Sequence, residues 1–257
     1  MTKRILTILF FTFFVVGSAT ALAKNTCEKE WDEVLSSKSM SSIESKIEYW
    51  KRKSKDCGKT GIYEFRMGHL YTASGKLSKA ESALNKGLSY KTEYKKELLS
   101  GLADLHLKKR DWKSAESKYK SIIAEYPQWY NGYQGLGTVK LIKKDFKQSI
   151  DLLNKSNQLQ ATALSYRHLT IAYHQIGDHA NTVKSINSAF KINSNIQSDR
   201  DAMMAGAVSY AKLGKYKVSD GLLGMLLKAR PEVQNDEQFI TVASFISRKL
   251  KMAQQKK

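Results

Sequence analysis

Small, bulky and polar positions recur in a fixed order along residues 61–233, with a period of about 34 residues. The most regular element is a three-residue turn, whose copies begin 35, 34, 33 and 37 residues apart. The five copies are Gly75-Lys76-Leu77, Arg110-Asp111-Trp112, Lys144-Asp145-Phe146, Gly177-Asp178-His179 and Gly214-Lys215-Tyr216. Three copies carry Gly where a helix must end, and three carry Asp where a carboxylate can cap the next helix. The pattern therefore predicts five helix–turn–helix units.

Side-chain size follows the same register on both sides of each turn. A small residue or threonine stands seven positions before the turn: Gly68, Ala103, Gly137, Thr170 and Ala207. Another stands five positions after its first residue: Ala80, Ala115, Ser149, Thr182 and Ser219. A bulky residue follows four positions later: Leu84, Tyr119, Leu153, Ile186 and Leu223. We expect the small positions to let the two helices of a unit approach closely, and the bulky residue to fill the gap that follows.

This pattern resembles the tetratricopeptide repeat (TPR), whose signature runs aromatic, Leu-Gly, Tyr, Ala, Phe and Pro. The third unit carries the likeness best, with Tyr133, Leu136-Gly137, Phe146 and Leu153. No unit is perfect, because Lys140 and His106 occupy the tyrosine place and serine or threonine replaces alanine in three units. The resemblance covers about two-thirds of the chain. It implies an all-α fold, a right-handed α-solenoid of about five TPR-like helical hairpins.

The ends of the chain complete the predicted domain organisation. Residues 235–253 form an amphipathic pattern typical of a capping helix, which a stack of hairpins needs in order to cover its last apolar flank. The polar join at 193–198 is the longest between units and is the predicted hinge. The predicted parts are a signal peptide (1–23), an N-terminal capping hairpin (24–58), repeats within 59–233 (about 61–95, 96–129, 130–162, 163–199 and 200–233), and a C-terminal capping helix with a basic tail (234–257).

The N-terminus has the features of a secretory signal. Lys3 and Arg4 precede a twelve-residue apolar run, and Ala21-Leu22-Ala23 supplies the small-x-small cleavage pattern. The run is short for a membrane span, although retention as an uncleaved anchor stays open. The sequence thus predicts export, with a soluble periplasmic protein after cleavage near Ala23.

The chain contains two cysteines, Cys27 and Cys57. In an exported protein such a pair indicates one structural disulfide. Here an antiparallel hairpin, with helices at about Glu28–Ser37 and Ser41–Lys53, would bring the two cysteines together. A redox pair is the alternative, but it usually has C-x-x-C spacing.

No catalytic, cofactor or metal motif stands out. The sequence has no phosphate-binding Gly loop, no G-x-S-x-G and no HExxH. His168, His174 and His179 are spaced by six and five residues, which does not make an i,i+4 metal pair. The sequence therefore predicts no enzyme, no catalytic residue, no cofactor and no metal.

The TPR resemblance implies a partner-binding groove lined by the first helix of each unit. The leading hypothesis is a protein or peptide partner, with the chain acting as a scaffold or adaptor in an envelope assembly or secretion system. Each position has the alternative of being ordinary hydrated surface. The groove positions carried over are Phe65, His69, Asp104, Lys108, Asn131, Gln134, Thr138, Arg167, Ile171, His174, Met204 and Val208.

Charge adds a second hypothesis. The chain has 43 basic and 24 acidic residues, and the part after residue 23 has a net charge of +17. Such a surface attracts acidic proteins, anionic lipids or anionic glycans, whereas nucleic acid is not expected as the partner of an exported protein. Cations also recur near the turns, and they could form a basic edge that binds envelope lipid or glycan. The turn cations are Lys76, Lys79, Lys108, Lys109, Arg110, Lys143, Lys144, Lys212, Lys215 and Lys217.

Overall fold

The computed structural model describes residues 42–54 and 57–255, and over these ranges it contains twelve α-helices, two short 3₁₀ helices and no β-strand. The signal peptide, the predicted helix at Glu28–Ser37 and Cys27 lie outside the described residues. The α-helices are α1 (Ile43–Lys53), α2 (Ile62–Ala73), α3 (Leu77–Leu88), α4 (Lys95–Lys108), α5 (Trp112–Glu125), α6 (Tyr130–Ile142), α7 (Phe146–Leu159), α8 (Ala163–Gln175), α9 (His179–Ile192), α10 (Arg200–Lys212), α11 (Tyr216–Ala229) and α12 (Glu237–Gln254).

Each of the five repeated turns begins with a residue in the left-handed region of backbone space. The φ angles are 75° at Gly75, 60° at Arg110, 61° at Lys144, 77° at Gly177 and 74° at Gly214. The aspartates that follow three of them cap the next helix. Asp178 Oδ1 accepts from the Asn181 N–H at 3.0 Å, and Asp111 and Asp145 bond in the same way. The turn pattern in the sequence therefore has two physical causes: the first residue must adopt a left-handed conformation, and the aspartate must cap the next helix.

The two non-glycine residues in these turns allow a test of that requirement. A side chain in the left-handed region costs about 1–2 kcal/mol, and glycine avoids this cost while losing more entropy on folding. We therefore expect Lys144→Gly to raise the free energy of unfolding by up to about 1 kcal/mol, and Gly177→Lys to lower it by about 1 kcal/mol. Urea denaturation of both variants checks the pair, and effects of the same sign in both would contradict the explanation.

The two helices of a hairpin pack as predicted, with a small residue on one helix against a bulky residue on the other. A methyl group added at Gly68 would lie 2.5 Å from Leu84 Cγ, and one at Gly137 would lie 2.8 Å from Leu153 Cγ. Both leucines have no exposed surface. The glycines are thus required by close packing of the two helices and not by backbone conformation.

The chain divides into two compact units, Met1–Ile122 and Ile123–Lys257. In the first unit, α1 packs on α2 and contributes the buried Ile47 and Trp50 to a core that also contains Cys57, Ile62, Met67 and Leu70. Cys57 is fully buried, and its predicted disulfide partner Cys27 lies outside the described residues. The disulfide stays a prediction.

In the second unit the hairpins α6–α7, α8–α9 and α10–α11 are followed by α12. Phe239 and Ile246 of α12 are buried in the same hydrophobic core as Met203 and Leu226. The C-terminal helix expected at 235–253 is α12. None of the helices within the described ranges is long and apolar enough to cross a membrane.

The expected hinge at 193–198 is a packed turn. Residues Ser194–Ser198 form a 3₁₀ helix that contacts α9, α10 and α11, and Ile196 within it is 8% exposed. The polar composition of this join suggested looseness, but the structure packs its one isoleucine into the hydrophobic core.

Candidate partner-binding surface

In the second unit the first helices of successive hairpins lie side by side, with α6 packed on α8, α8 on α10, and α10 on α12. Their N-caps are Trp129, Thr162, Asp199 and Asp236. Counting from these caps aligns the four helices and defines two rows of side chains. The five-row lies five residues after the cap and contains Gln134, Arg167, Met204 and Thr241. The nine-row lies nine residues after the cap and contains Thr138, Ile171, Val208 and Phe245.

Two members of the five-row, Gln134 and Arg167, hold neighbouring hairpins together. Gln134 Oε1 accepts hydrogen bonds from Thr162 Oγ1 at 2.7 Å and Ser165 Oγ at 3.0 Å, both at the start of the next first helix. Arg167 forms an ion pair with Asp199, the N-cap of the following first helix. These two predicted groove residues therefore have partners within the chain.

Met204, also predicted to line the groove, is 3% exposed and belongs to the hydrophobic core with Ala207, Tyr210 and Leu222. The prediction that Met204 offers its side chain to a partner is therefore wrong. The physical reason is that an apolar side chain in this row packs inward, whereas Gln134 and Arg167 reach along the surface to a cap.

The nine-row begins with a polar link. Thr138 Oγ1 donates to the Gln134 carbonyl at 2.9 Å and lies 3.0 Å from His168 Nδ1. Arg167 Nη1 lies 3.0 Å from His168 Nε2. Since guanidinium only donates, His168 must accept at Nε2 and donate from Nδ1, so it is neutral. Burial, and secondarily the Arg167 charge, lower the pKa of His168 to about 3.

The rest of the nine-row is apolar and partly exposed. Ile171 and Val208 are half-buried, and Phe245 is 41% exposed. The Phe245 ring centroid lies 6.3 Å from that of Tyr216, and Lys249 Nζ lies 5.6 Å from the Phe245 centroid. Sequence reasoning missed Phe245 because the turn pattern ends at Gly214. The usable signal was its position nine residues after Asp236 in the sequence, which matches the position of Val208 after Asp199.

Two more predicted groove residues of this unit, Asn131 and His174, lie near the ends of their helices. Asn131 is half-buried in the first turn of α6. His174 Nδ1 and His179 Nδ1 both approach Ser209 Oγ, at 3.3 and 3.1 Å. Burial, followed by the neighbouring His179, lowers the pKa of His174. These contacts connect α8 and α9 to α10.

In the first unit the predicted residues lie on α2 and α4, which pack together. Phe65 is half-buried among core residues, with its ring centroid 6.0 Å from that of His69. Asp104 accepts a hydrogen bond from the Tyr119 hydroxyl, and burial raises the pKa of both groups. His69 and Lys108 lie on the same two helices outside the buried core.

Part of the predicted basic edge is neutralised within the chain. Lys109 Nζ lies 2.7 Å from Glu81 Oε2, and Lys76 Nζ lies 3.6 Å from Glu44 Oε1. Within the described ranges, no group of three or more His, Cys, Asp or Glu side chains is placed to hold a metal ion.

Comparison with solved structures identifies the fold, although no family model and no curated protein matches the chain. Cut9 of the APC/C hetero-tetramer Cut9–Hcn1 superposes with a TM-score of 0.66 at 17% identity, over 79% of this chain and 39% of that one. The chain thus spans about two-fifths of that protein's length. TTC0263, a TPR protein of Thermus thermophilus, gives a TM-score of 0.55 at 16% identity, over 74% of this chain and 99% of that one. YrrB, described as a TPR protein with an unusual peptide-binding site, gives 0.50 at 14% identity, over 77% of this chain and 98% of that one.

At these identities the likeness shows the fold. The predicted fold class, an all-α TPR-type solenoid of helical hairpins, is confirmed, and so is the TPR resemblance at the level of structure.

Proposed function

We propose that this protein is a non-enzymatic, exported adaptor that binds a protein or peptide segment on the first-helix surface of its second unit. The observation that carries the proposal is the nine-row. Three adjacent first helices leave Ile171, Val208 and Phe245 partly exposed. In the five-row beside them, Gln134 and Arg167 are bonded within the chain and Met204 is buried in the core.

A row of apolar side chains on packed helices suits a peptide partner. The helices are held by buried cores and by cap contacts, so the row is ordered before binding and little entropy is lost in arranging it. Large apolar side chains of a partner can pack on Val208 and Phe245, with Tyr216 beside them. The structural neighbours point the same way, since one is described as part of a hetero-tetramer and another as having a peptide-binding site.

Photo-crosslinking in the native host tests the surface. A benzophenone amino acid at Val208 or Phe245 is expected to capture the same protein from the cell envelope. The matched control is Val218, a 47% exposed apolar residue on the second helix α11. No adduct from the two row positions, or the same adducts from Val218, would contradict the proposal.

Export is part of the proposal and is supported by the N-terminal signal pattern in the sequence. We expect the protein isolated from the envelope fraction to begin at Lys24, directly after Ala23. Intact-mass measurement checks the cleavage site. A mass that includes residues 1–23 would indicate a retained anchor.

A further inference from the structure

The two halves of the first-helix surface differ in how their cations are paired. Arg167 and Arg200 lie in the first halves of α8 and α10, and each forms an ion pair with the N-cap of the next first helix, Asp199 and Asp236. Arg200 Nη2 also lies 2.9 Å from Gln238 Oε1. These cations are satisfied inside the chain.

The cations in the second halves of α10 and α12 have no such partners. Lys212, Arg248, Lys249 and Lys251 form no ion pair among the residues that the structure describes. No acidic residue occurs between Asp201 and Asp220, or after Glu237. A helix C-terminus favours a cation in its last turn, which accounts for Lys212. It does not account for Lys249, whose ammonium group lies over the Phe245 ring well before the end of α12.

One of the unpaired cations, Lys249, lies at the exposed end of the nine-row, on Phe245, and Lys212 follows Val208 by the same four residues on α10. Lys249 covers one face of the Phe245 ring, Arg248 is the preceding residue on α12, and Tyr216 packs at the ring's edge. Helix α12 thus has two roles: Phe239 and Ile246 close the core, while Phe245 continues the nine-row and carries Lys249 over its ring.

We infer that the segment bound on this surface is acidic, with a large apolar side chain seated against Val208 and Phe245 and carboxylates paired with Lys249, Arg248 and Lys212. The inference rests on the proposed function and names the chemistry of its partner. Charge complementarity selects the occupant. A second copy of this chain would bring cations against cations, and a lipid surface offers anionic head groups without an ordered apolar side chain to pack on the half-buried Ile171 and Val208.

Selection from a library of random dodecapeptides displayed on phage, with the full-length mature chain immobilised, tests the inference. We expect enrichment of peptides with one aromatic or long aliphatic residue and several Asp or Glu residues. A synthetic copy of an enriched peptide should bind at least about 10-fold more weakly when Gln replaces its acidic residues. The affinity should also fall as salt is raised from about 50 to about 300 mM.

Two charge reversals locate the contact. Lys249→Glu is expected to weaken the peptide at least about 10-fold. Lys228→Glu is the matched control. Lys228 is exposed and forms no ion pair with any residue that the structure describes, and it lies in the last turn of α11, whereas Tyr216 begins that helix. Circular dichroism establishes that both variants are folded.

The outcomes separate the two proposals. Enriched peptides without acidic residues, or equal loss in both variants, would overturn the inference and leave the proposed function in place. No enrichment, together with sedimentation of the chain on phosphatidylglycerol vesicles, would overturn both in favour of lipid binding. No enrichment and no vesicle binding would overturn both as well.

Discussion

Leu153→Ala is expected to lower the free energy of unfolding by about 2–5 kcal/mol, the usual cost of a leucine-sized cavity in a packed core. Leu153 has no exposed surface and fills the gap above Gly137. Gly137→Ala places a methyl group 2.8 Å from Leu153 Cγ. We expect this overpacking to cost about 1–3 kcal/mol. Urea denaturation followed by circular dichroism measures both values.

The double variant tests whether the two positions act as a pair. The methyl group of Gly137→Ala occupies part of the space that Leu153→Ala vacates. The loss in the double variant should therefore be smaller than the sum of the single losses by more than about 0.5 kcal/mol. Gly224→Ala is the control, because a methyl group there would meet nothing within 4 Å. It should stabilise α11 by about 0.5–1 kcal/mol and add independently to Leu153→Ala. If the losses at Gly137 and Leu153 were additive, the two residues would not stabilise the hairpin as a packed pair.

Acidification is expected to destabilise the second unit through His168. The pKa of this residue is about 3 in the folded chain and about 6.5 when unfolded. Between these values the unfolded chain binds one proton more than the folded chain, so stability falls as pH falls. The contribution of neutral His168 to the free energy of unfolding is fully present above about pH 6.5. Roughly 3 kcal/mol of this contribution is lost by about pH 4.

His168→Gln isolates this effect, since glutamine keeps a donor and an acceptor without titrating. We expect the variant to lose less stability than the wild type between about pH 7 and about pH 4. Other groups remain in both proteins: the Arg200 guanidinium lowers the pKa of Asp236 to about 2, and hydrogen bonds from Asn181 lower the pKa of Asp178. Their contributions cancel in the difference between the two proteins. Parallel pH profiles of wild type and variant would show that His168 is not the titrating group.

The five repeated turns illustrate how much of the fold could be predicted. A helix must end where the chain turns back, and few residues tolerate the left-handed conformation or supply a cap, so the requirement is local and visible in the sequence. The size exchange between Gly137 and Leu153 is equally visible, because one hairpin contains both residues. The packing of the join at Ser194–Ser198 was not predicted, since the single Ile196 that it buries is outnumbered by polar neighbours.

The candidate partner-binding surface was predicted less well, and its residues show why. The resemblance placed Gln134, Arg167 and Met204 on it by position in the repeat. Whether such a side chain faces a partner depends on residues in the next hairpin. Thr162 donates a hydrogen bond to Gln134, Asp199 pairs with Arg167, and a core closed by α12 buries Met204. Phe245 was missed because it belongs to a helix that lacks the repeated turn.

The sequence by itself determined the all-α class, the helical hairpins, their turns and the small and bulky positions between paired helices, because each depends on residues close together in the chain. Only the tertiary structure decided which first-helix side chains stay available to a partner. Neighbouring hairpins compete for the same polar groups, and within the described part of the chain the cations beside Phe245 remain unpaired because no carboxylate folds back to meet them.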